Sequence, residues 1–129
     1  MFRSLVLVVA LLSGGAAQAQ QFMGEYFTLI GPEDFYNSSG ARLTDIADIV
    51  QQDRANFHRF GIRHQFDQTD PFFGSRELRA RIPSLYYSGP GTAAYIVAGL
   101  RAGNTHFIHV RIFGQNGVPQ YIVVGEGAG

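Results

Sequence analysis

The longest uninterrupted apolar run of the chain stands near its start, at residues 5–12. Arg3 precedes this run, and Ala17-Gln18-Ala19 follows it with the small-x-small pattern that signal peptidase recognises. The run is too short for a membrane-spanning helix, which needs about 20 apolar residues. We therefore expect Met1 to Ala19 to be a cleaved secretory signal peptide, and residues 20–129 to form a single domain that is periplasmic or secreted.

After residue 19 the sequence predicts a strand followed by a turn. Aromatic and β-branched residues from Glu25 to Ile30 predict a strand, which Gly31-Pro32 ends. Residues 20–24 are expected to be a loose start. Between Asp34 and Leu43, asparagine, serine and glycine predict a turn that joins short extended pieces.

Helical spacing appears next. Apolar residues recur near one face from Ile46 to Phe60 and predict a first helix. Thr44 is its candidate N-cap, and Gly61 is suited to the position after its C-terminus. Asp53 interrupts the apolar stripe of this helix.

Two further helices are predicted. Asp70-Pro71 has the residue types that begin a helix, and Pro83 is expected to end it near Ile82. A short third helix is expected at residues 93–102, with Thr92 as its cap.

The C-terminal pattern predicts a β-hairpin with strands at Thr105–Phe113 and Gln120–Val124. Asn116-Gly117 is the turn signal between them, and Pro119 indicates an edge strand. The expected fold is therefore α+β: a small antiparallel sheet with about three helices packed on one face and a C-terminal β-hairpin.

The amino-acid composition excludes several kinds of site and reaction mechanism. The chain has no cysteine, which excludes disulfides, cysteine-based zinc sites and a thiol nucleophile. It has no lysine, which excludes a Schiff-base mechanism and a Walker-type phosphate loop. Without residues 1–19 the net charge is near −1, and we expect no nucleic-acid partner, because such binding needs a large positive surface. No cofactor is expected.

The charges are unevenly distributed. Acidic residues dominate from Glu25 to Asp53, where Arg42 is the only base. Arginines dominate from Arg54 to Arg81. This asymmetry is typical of a surface for an anionic partner, although two solvated faces or pairing between the halves would also produce it. The arginines of the second stretch are Arg54, Arg59, Arg63, Arg76, Arg79 and Arg81.

Two pairs of residues have side chains of the kind that bind metal ions. His106 and His109 lie three residues apart on a predicted strand, so they should point to opposite faces and not share an ion. Asp67 and Asp70 lack the oxygen-rich loop that calcium needs, and capping already explains Asp70. We expect no metal site.

The densest polar cluster lies at the C-terminal end of the first predicted helix. A carboxylate at Asp53, on an apolar face, requires a partner, and Arg63, Arg76 or Arg42 could supply it. The cluster is either a buried ion pair with cations at the helix end, which we favour, or a pocket for a phosphate or carboxylate ligand. Its candidate ligand-binding residues are Asp53, Arg54, His58, Arg59, Arg63 and His64.

Three stretches together resemble a group of small exported bacterial proteins of uncharacterised function. They are Tyr36-Asn37-Ser38-Ser39-Gly40, Gln52-Asp53-Arg54-Ala55-Asn56-Phe57-His58-Arg59-Phe60-Gly61 and Asp70-Pro71-Phe72-Phe73. The resemblance implies a single exported domain, and it supplies no activity, ligand or catalytic residue.

Three functions remain open. The leading one is an exported, non-enzymatic module that binds an envelope component or a small anionic ligand through the arginine-rich middle region. The second is a small hydrolase or lyase in which His58 or His64 works with Asp53 as general acid and base. The third is a structural partner that joins another protein through the edge of its hairpin, residues 105–124.

Overall fold

Residues from both ends of the described chain pair into one sheet. The computed structural model describes residues 20–128, and the expected signal peptide lies outside this range. The strands β1 (Gln21–Ile30), β2 (His106–Gln115) and β3 (Val118–Glu126) form an antiparallel sheet in the order β1-β2-β3. The predicted α+β class and C-terminal hairpin are confirmed.

The hairpin turn forms where the sequence predicts it. Asn116 and Gly117 both have positive φ angles, 51° and 75°, which is the conformation of a tight turn matched to the twist of the strands. The strand β1 is longer than predicted, because Gln21 and Phe22 pair with Gly114 and Phe113 before a register shift. The prediction of a loose start at residues 20–24 is therefore wrong for most of that stretch.

The first predicted helix is present and changes its winding before it ends. The chain passes through a 3₁₀ turn (Pro32–Phe35), then forms α1 (Ile46–Ala55), and continues as a π-helical turn (Asn56–Phe60). Gly61 follows with φ 67°, as predicted for the residue after the helix. The cap is Asp45 and not Thr44, since the Asp45 side chain accepts a hydrogen bond from the Ala47 N–H at 2.9 Å.

The second predicted helix is two short helices that begin later than expected. Asp70 caps a turn, accepting hydrogen bonds from the N–H groups of Phe72 and Phe73. Ser75 then caps α2 (Arg76–Ala80), where its side chain accepts from the Leu78 N–H. Turn residues at 71–75 therefore delay the helix by about one turn.

Pro83 begins a helix and does not end one. It occupies the first turn of α3 (Ile82–Tyr87), where a missing N–H costs nothing. The last helix is α4 (Ala94–Arg101). Thr92 is not its cap, because the Thr92 hydroxyl instead donates to the carbonyl oxygen of Val124 on β3 at 2.9 Å. The described residues thus contain four α-helices, against about three predicted.

The helices cover one face of the sheet. Strand residues that point inward pack with helix residues into one core, whose members include Tyr26, Ile30, Ile49, Val50, Ile82, Leu85, Ile96, Leu100, Ile108, Val110, Ile112, Ile122 and Val124. The other face carries half-buried rings in contact, such as Phe113 stacked on Tyr121 at 5.0 Å between centroids. No helix within residues 20–128 is long and apolar enough to cross a membrane.

Both outer edges of the sheet are partly occupied within the chain. On β1, the Leu29 N–H donates to the Asp67 carboxylate at 2.8 Å, and the Phe27 carbonyl accepts from the Gln68 N–H at 2.8 Å. On β3, Thr92 holds Val124, and Gly89 packs so closely that a Cβ there would lie 2.3 Å from the Ile122 carbonyl oxygen. These contacts occupy part of each edge, at residues 27–29 of β1 and 122–124 of β3.

Candidate functional site

A fully buried guanidinium lies between α1 and the loop that precedes α2. Arg54 is 0% exposed, and its Nε donates to Asp53 at 2.9 Å. Its Nη1 donates to Asp70 at 3.0 Å and to the Gln68 carbonyl oxygen at 2.9 Å. One arginine thereby joins a helix carboxylate to a loop carboxylate in the interior.

Aromatic rings complete the surroundings of this guanidinium. The Arg54 Cζ atom lies 3.9 Å from the ring centroid of Tyr26 and 4.6 Å from that of Phe57. The ring faces and the two carboxylates all attract the cation, while Arg54 Nη2 is buried without a hydrogen-bond partner among the described residues. Arg54 and Asp53 are therefore core groups with no surface to offer a ligand.

The predicted partner of Asp53 is corrected. None of Arg63, Arg76 and Arg42 pairs with this carboxylate; Arg54, its neighbour in sequence, does. The long arginine side chain makes a contact that helical spacing alone would not suggest. The Thr28 hydroxyl on β1 also donates to Asp53, at 2.9 Å, so the carboxylate connects the helix to the sheet.

The pKa values of the two carboxyl groups that contact Arg54 are shifted in opposite directions. Burial raises the pKa of Asp53 to about 7, against the opposing attraction of Arg54. Burial also acts to raise the pKa of Asp70, but hydrogen bonds from His58, the Phe73 N–H and Arg54 outweigh it and lower that pKa below its usual value. Asp70 is thus the more firmly held anion.

His58 belongs to the same network through Asp70. Its Nε2 lies 2.7 Å from Asp70 Oδ2, and its side chain is 13% exposed. Neither His58 nor His64 contacts Asp53, so the acid–base pairing that the sequence suggested with Asp53 is not formed. The nearest histidine–carboxylate pair is His58–Asp70, whose carboxylate is already held by Arg54 and two backbone N–H groups.

His64 lies in a second, separate group of acids. Its Nε2 is 2.8 Å from Glu33 Oε2, and its Nδ1 is 3.4 Å from Asp67 Oδ2. Burial acts to lower the pKa of His64, but the hydrogen bond to Glu33 and the charges of Asp34 and Asp67 outweigh it and raise that pKa. His64 is therefore held by acids and is not directed at an anion site.

Arg63 and Arg59 take different positions again. Arg63 lies over the Phe57 ring at 4.1 Å and donates through Nε to the Phe57 carbonyl oxygen. Arg59 faces a pocket between α1 and α2. The six candidate residues thus do not form one site. Asp53, Arg54 and His58 are joined through Arg54 and Asp70, Arg63 shares the Phe57 ring with Arg54, and Arg59 and His64 lie apart.

The pocket beside Arg59 is lined by three arginines. It has a volume of about 220 Å³ and is lined by Arg59 from the π-helical turn after α1 and by Arg76 and Arg79 from α2. We call these three residues the arginine pocket. The rest of the lining is uncharged and consists of Gln51, Gln52, Ala55 and Ala80.

The three arginines differ in how they are held. Arg79 is only 8% exposed, and its Nη1 donates to the carbonyl oxygens of Phe73 and Gly74, both at 3.0 Å. Arg59 and Arg76 are exposed. Among residues 20–128, no carboxylate lies within 4.0 Å of these three guanidiniums, so their charges are not neutralised by the protein.

Arg76 and Arg79 were missing from the candidate site that the sequence suggested. The candidates that the sequence suggests lie within one continuous stretch, residues 53–64, whereas the lining of the pocket also includes residues of α2. The available signal was the spacing of Arg76 and Arg79, three residues apart after the Ser75 cap, which places them on one side of a helix. Nothing in the sequence indicated that this side faces α1.

No metal centre is apparent in the part of the chain that is described. No group of three or more histidine, aspartate or glutamate side chains there is arranged to hold an ion. His106 and His109 pair separately, with Glu126 at 2.8 Å and Glu25 at 2.7 Å.

Comparison with known proteins brings no match: no family model, no curated protein and no solved structure is similar to this chain. The resemblance to small exported bacterial proteins stays a prediction. The geometry of the chain itself therefore carries the functional argument.

Proposed function

We propose that this protein is an exported, non-enzymatic module that binds a small anion or the anionic group of an envelope component in the arginine pocket. The single observation that supports this proposal most is that three arginines line one pocket, with no carboxylate within 4.0 Å of their guanidinium nitrogens among the described residues. Planar guanidinium groups bind phosphate and carboxylate oxygens through paired hydrogen bonds.

The environment of the pocket favours an anion over a neutral ligand. Arg79 is fixed by two backbone carbonyl groups, so little side-chain freedom is lost when a ligand binds to it. The neighbouring glutamines can donate further hydrogen bonds, although the Gln51 side-chain amide already donates to the Arg79 carbonyl oxygen at 3.2 Å. A pocket of about 220 Å³ suits a ligand of a few heavy atoms or one end of a larger one.

Inorganic phosphate is the probe that tests this function. We expect the protein to bind phosphate at low salt, with affinity that falls as salt rises, because the attraction is electrostatic. Replacing Arg76 by glutamine removes one unneutralised charge and should weaken binding about tenfold, the effect expected of one charged hydrogen bond. Isothermal titration calorimetry or NMR titration measures this.

Arg101→Gln is the matched control, since Arg101 is an exposed arginine near the end of α4, outside the pocket lining. Equal losses in the Arg76 and Arg101 variants would mean that only overall charge matters. Absence of phosphate binding to the wild type at low salt would contradict the proposal.

A further inference from the structure

Exposed apolar side chains are concentrated in a short stretch after α1. Among the described residues, the large hydrophobic side chains that are exposed include Phe60 at 46%, Ile62 at 38% and Phe66 at 75%. These three fall within seven consecutive residues, and Phe66 is the most exposed of all. Scattered exposed apolar residues are ordinary, but a local concentration marks a surface for binding.

Phe66 also has an unusual backbone. Its φ is 69°, in the left-handed region that bulky residues rarely adopt. The Asp67 N–H donates to the His64 carbonyl oxygen at 3.1 Å, so residues 64–67 form a β-turn with Phe66 at the position that favours glycine. Neither the backbone nor the burial of Phe66 explains a phenylalanine here, and its exposure points to a role outside the fold.

Hydrogen bonds hold the turn at residues 64–67 in place, although Phe66 has a left-handed backbone conformation. The Asp67 carboxylate accepts from the His64 N–H at 2.7 Å and from the Leu29 N–H on β1 at 2.8 Å. The Gln68 N–H donates to the Phe27 carbonyl oxygen at 2.8 Å. The ring of Phe66 is thus presented from a loop that is fastened to the sheet, so little ordering is needed on binding.

The charges of the same stretch are basic. Residues 59–66, which we call the 59–66 segment, contain Arg59 and Arg63 and no acid. Neither arginine has a carboxylate within 4.0 Å in the described chain. The acids nearby are already engaged: Asp67 has a side chain 1% exposed, and Glu33 is paired with His64.

We propose that the 59–66 segment docks the protein on the surface of an anionic lipid bilayer. Aromatic side chains settle at the level of the lipid headgroups, and adjacent guanidiniums are attracted to anionic lipids. The complementarity of charge selects an anionic bilayer over a neutral one. This inference concerns a surface distinct from the arginine pocket, apart from Arg59, and does not depend on phosphate binding there.

Vesicle sedimentation tests the inference. We expect the protein to bind phosphatidylcholine vesicles that contain phosphatidylglycerol, and to bind pure phosphatidylcholine vesicles much less. Phe66→Ala should lower the partition coefficient about tenfold, the effect of one aromatic ring leaving an apolar environment. High salt should lower it also, since two arginines near the surface contribute about fivefold each.

Two comparisons separate the docking role from other causes. Phe66→Gly should reduce vesicle binding as much as Phe66→Ala while raising the thermal unfolding temperature, because glycine accepts the left-handed conformation. Phe22→Ala removes another exposed phenylalanine, 56% exposed on β1, and should leave binding unchanged. The wild type and all variants are compared as the same polypeptide beginning at Gln20, the start expected after cleavage, so that the apolar residues 5–12 do not contribute to vesicle binding.

Several results would overturn the inference: no binding of the wild type to anionic vesicles, equal binding to neutral vesicles, or no loss in Phe66→Ala. Arg76→Gln distinguishes the two proposals. If it reduced phosphate binding and vesicle binding together, the arginine pocket and not the 59–66 segment would be contacting the headgroups. Vesicle binding that persists in Arg76→Gln and is lost in Phe66→Ala supports docking, whatever the result with phosphate.

Discussion

Arg54 joins two buried carboxylates of the interior, those of Asp53 and Asp70. It bonds to Asp53 on its own helix, to Asp70 on the loop before α2, and it lies against the rings of Tyr26 and Phe57. Removing the cation would leave two buried carboxylates without their shared partner. Such a loss is much larger than that of a surface ion pair, because buried charges without partners are poorly solvated.

We expect Arg54→Met to lower the free energy of unfolding by about 3–5 kcal/mol, as for other broken buried pairs. Urea or thermal unfolding measures the change. Arg54→Lys keeps the charge without the planar fork and should lose less. Arg101→Met, at an exposed position, should change stability by less than about 0.5 kcal/mol. A loss below about 1 kcal/mol in Arg54→Met would show that the network does not stabilise the fold.

Among the elements, the contact between the end of α3 and β3 depends on a glycine. Gly89 follows α3 and approaches the edge strand so closely that an added Cβ would lie 2.3 Å from the Ile122 carbonyl oxygen. The clashing atom belongs to the backbone, so it cannot rotate away as a side chain would. Gly89 therefore covers part of the outer edge of β3, which has no neighbouring strand among the described residues.

Gly89→Ala should therefore lower the free energy of unfolding by about 1–3 kcal/mol, the usual cost of forcing extra atoms into a packed site. Gly99→Ala is the matched control, because Gly99 lies inside α4 with nothing within 4 Å of its would-be Cβ. That variant should gain about 0.5–1 kcal/mol, since alanine is the better helix former. Equal effects of the two substitutions in thermal unfolding would contradict this account of the edge.

For the whole molecule, local signals in the sequence predict more than long-range ones. The Asn116-Gly117 turn, the glycine after α1 and the hairpin were predictable, because each depends on neighbouring residues. The split between α2 and α3 was not, since Pro83 fits both the end of one helix and the start of another. The partners of Asp53 and the arginine pocket depend on how distant segments meet, which one sequence does not contain.

Two groups with raised pKa values, Asp53 and His64, predict how the stability of the molecule varies with pH near neutrality. Burial raises the pKa of Asp53 to about 7, and the net effect of its neighbours raises the pKa of His64 above its usual value. In both cases the folded state holds a proton more tightly than the unfolded chain. The stabilisation is therefore present at low pH and is lost as pH rises through the folded-state pKa. Asp70 and Glu33, whose pKa values are lowered, have the opposite effect but only in more acidic solution.

We therefore expect the free energy of unfolding to fall as the pH rises from about 4, the ordinary carboxyl value, through about 7, the raised pKa of Asp53, and to fall further as the raised pKa of His64 is passed. Urea unfolding at several pH values measures the slope. Asp53→Asn should flatten the curve below about pH 7, and His64→Gln should flatten it above about pH 6.5, the ordinary histidine value. Gln65→Ala, which removes no titratable group, should keep the wild-type slope. A wild-type stability that is constant or rises over this interval would mean that the attraction of Arg54 for Asp53 outweighs the effect of burial, and that the Asp53 carboxyl is ionised throughout.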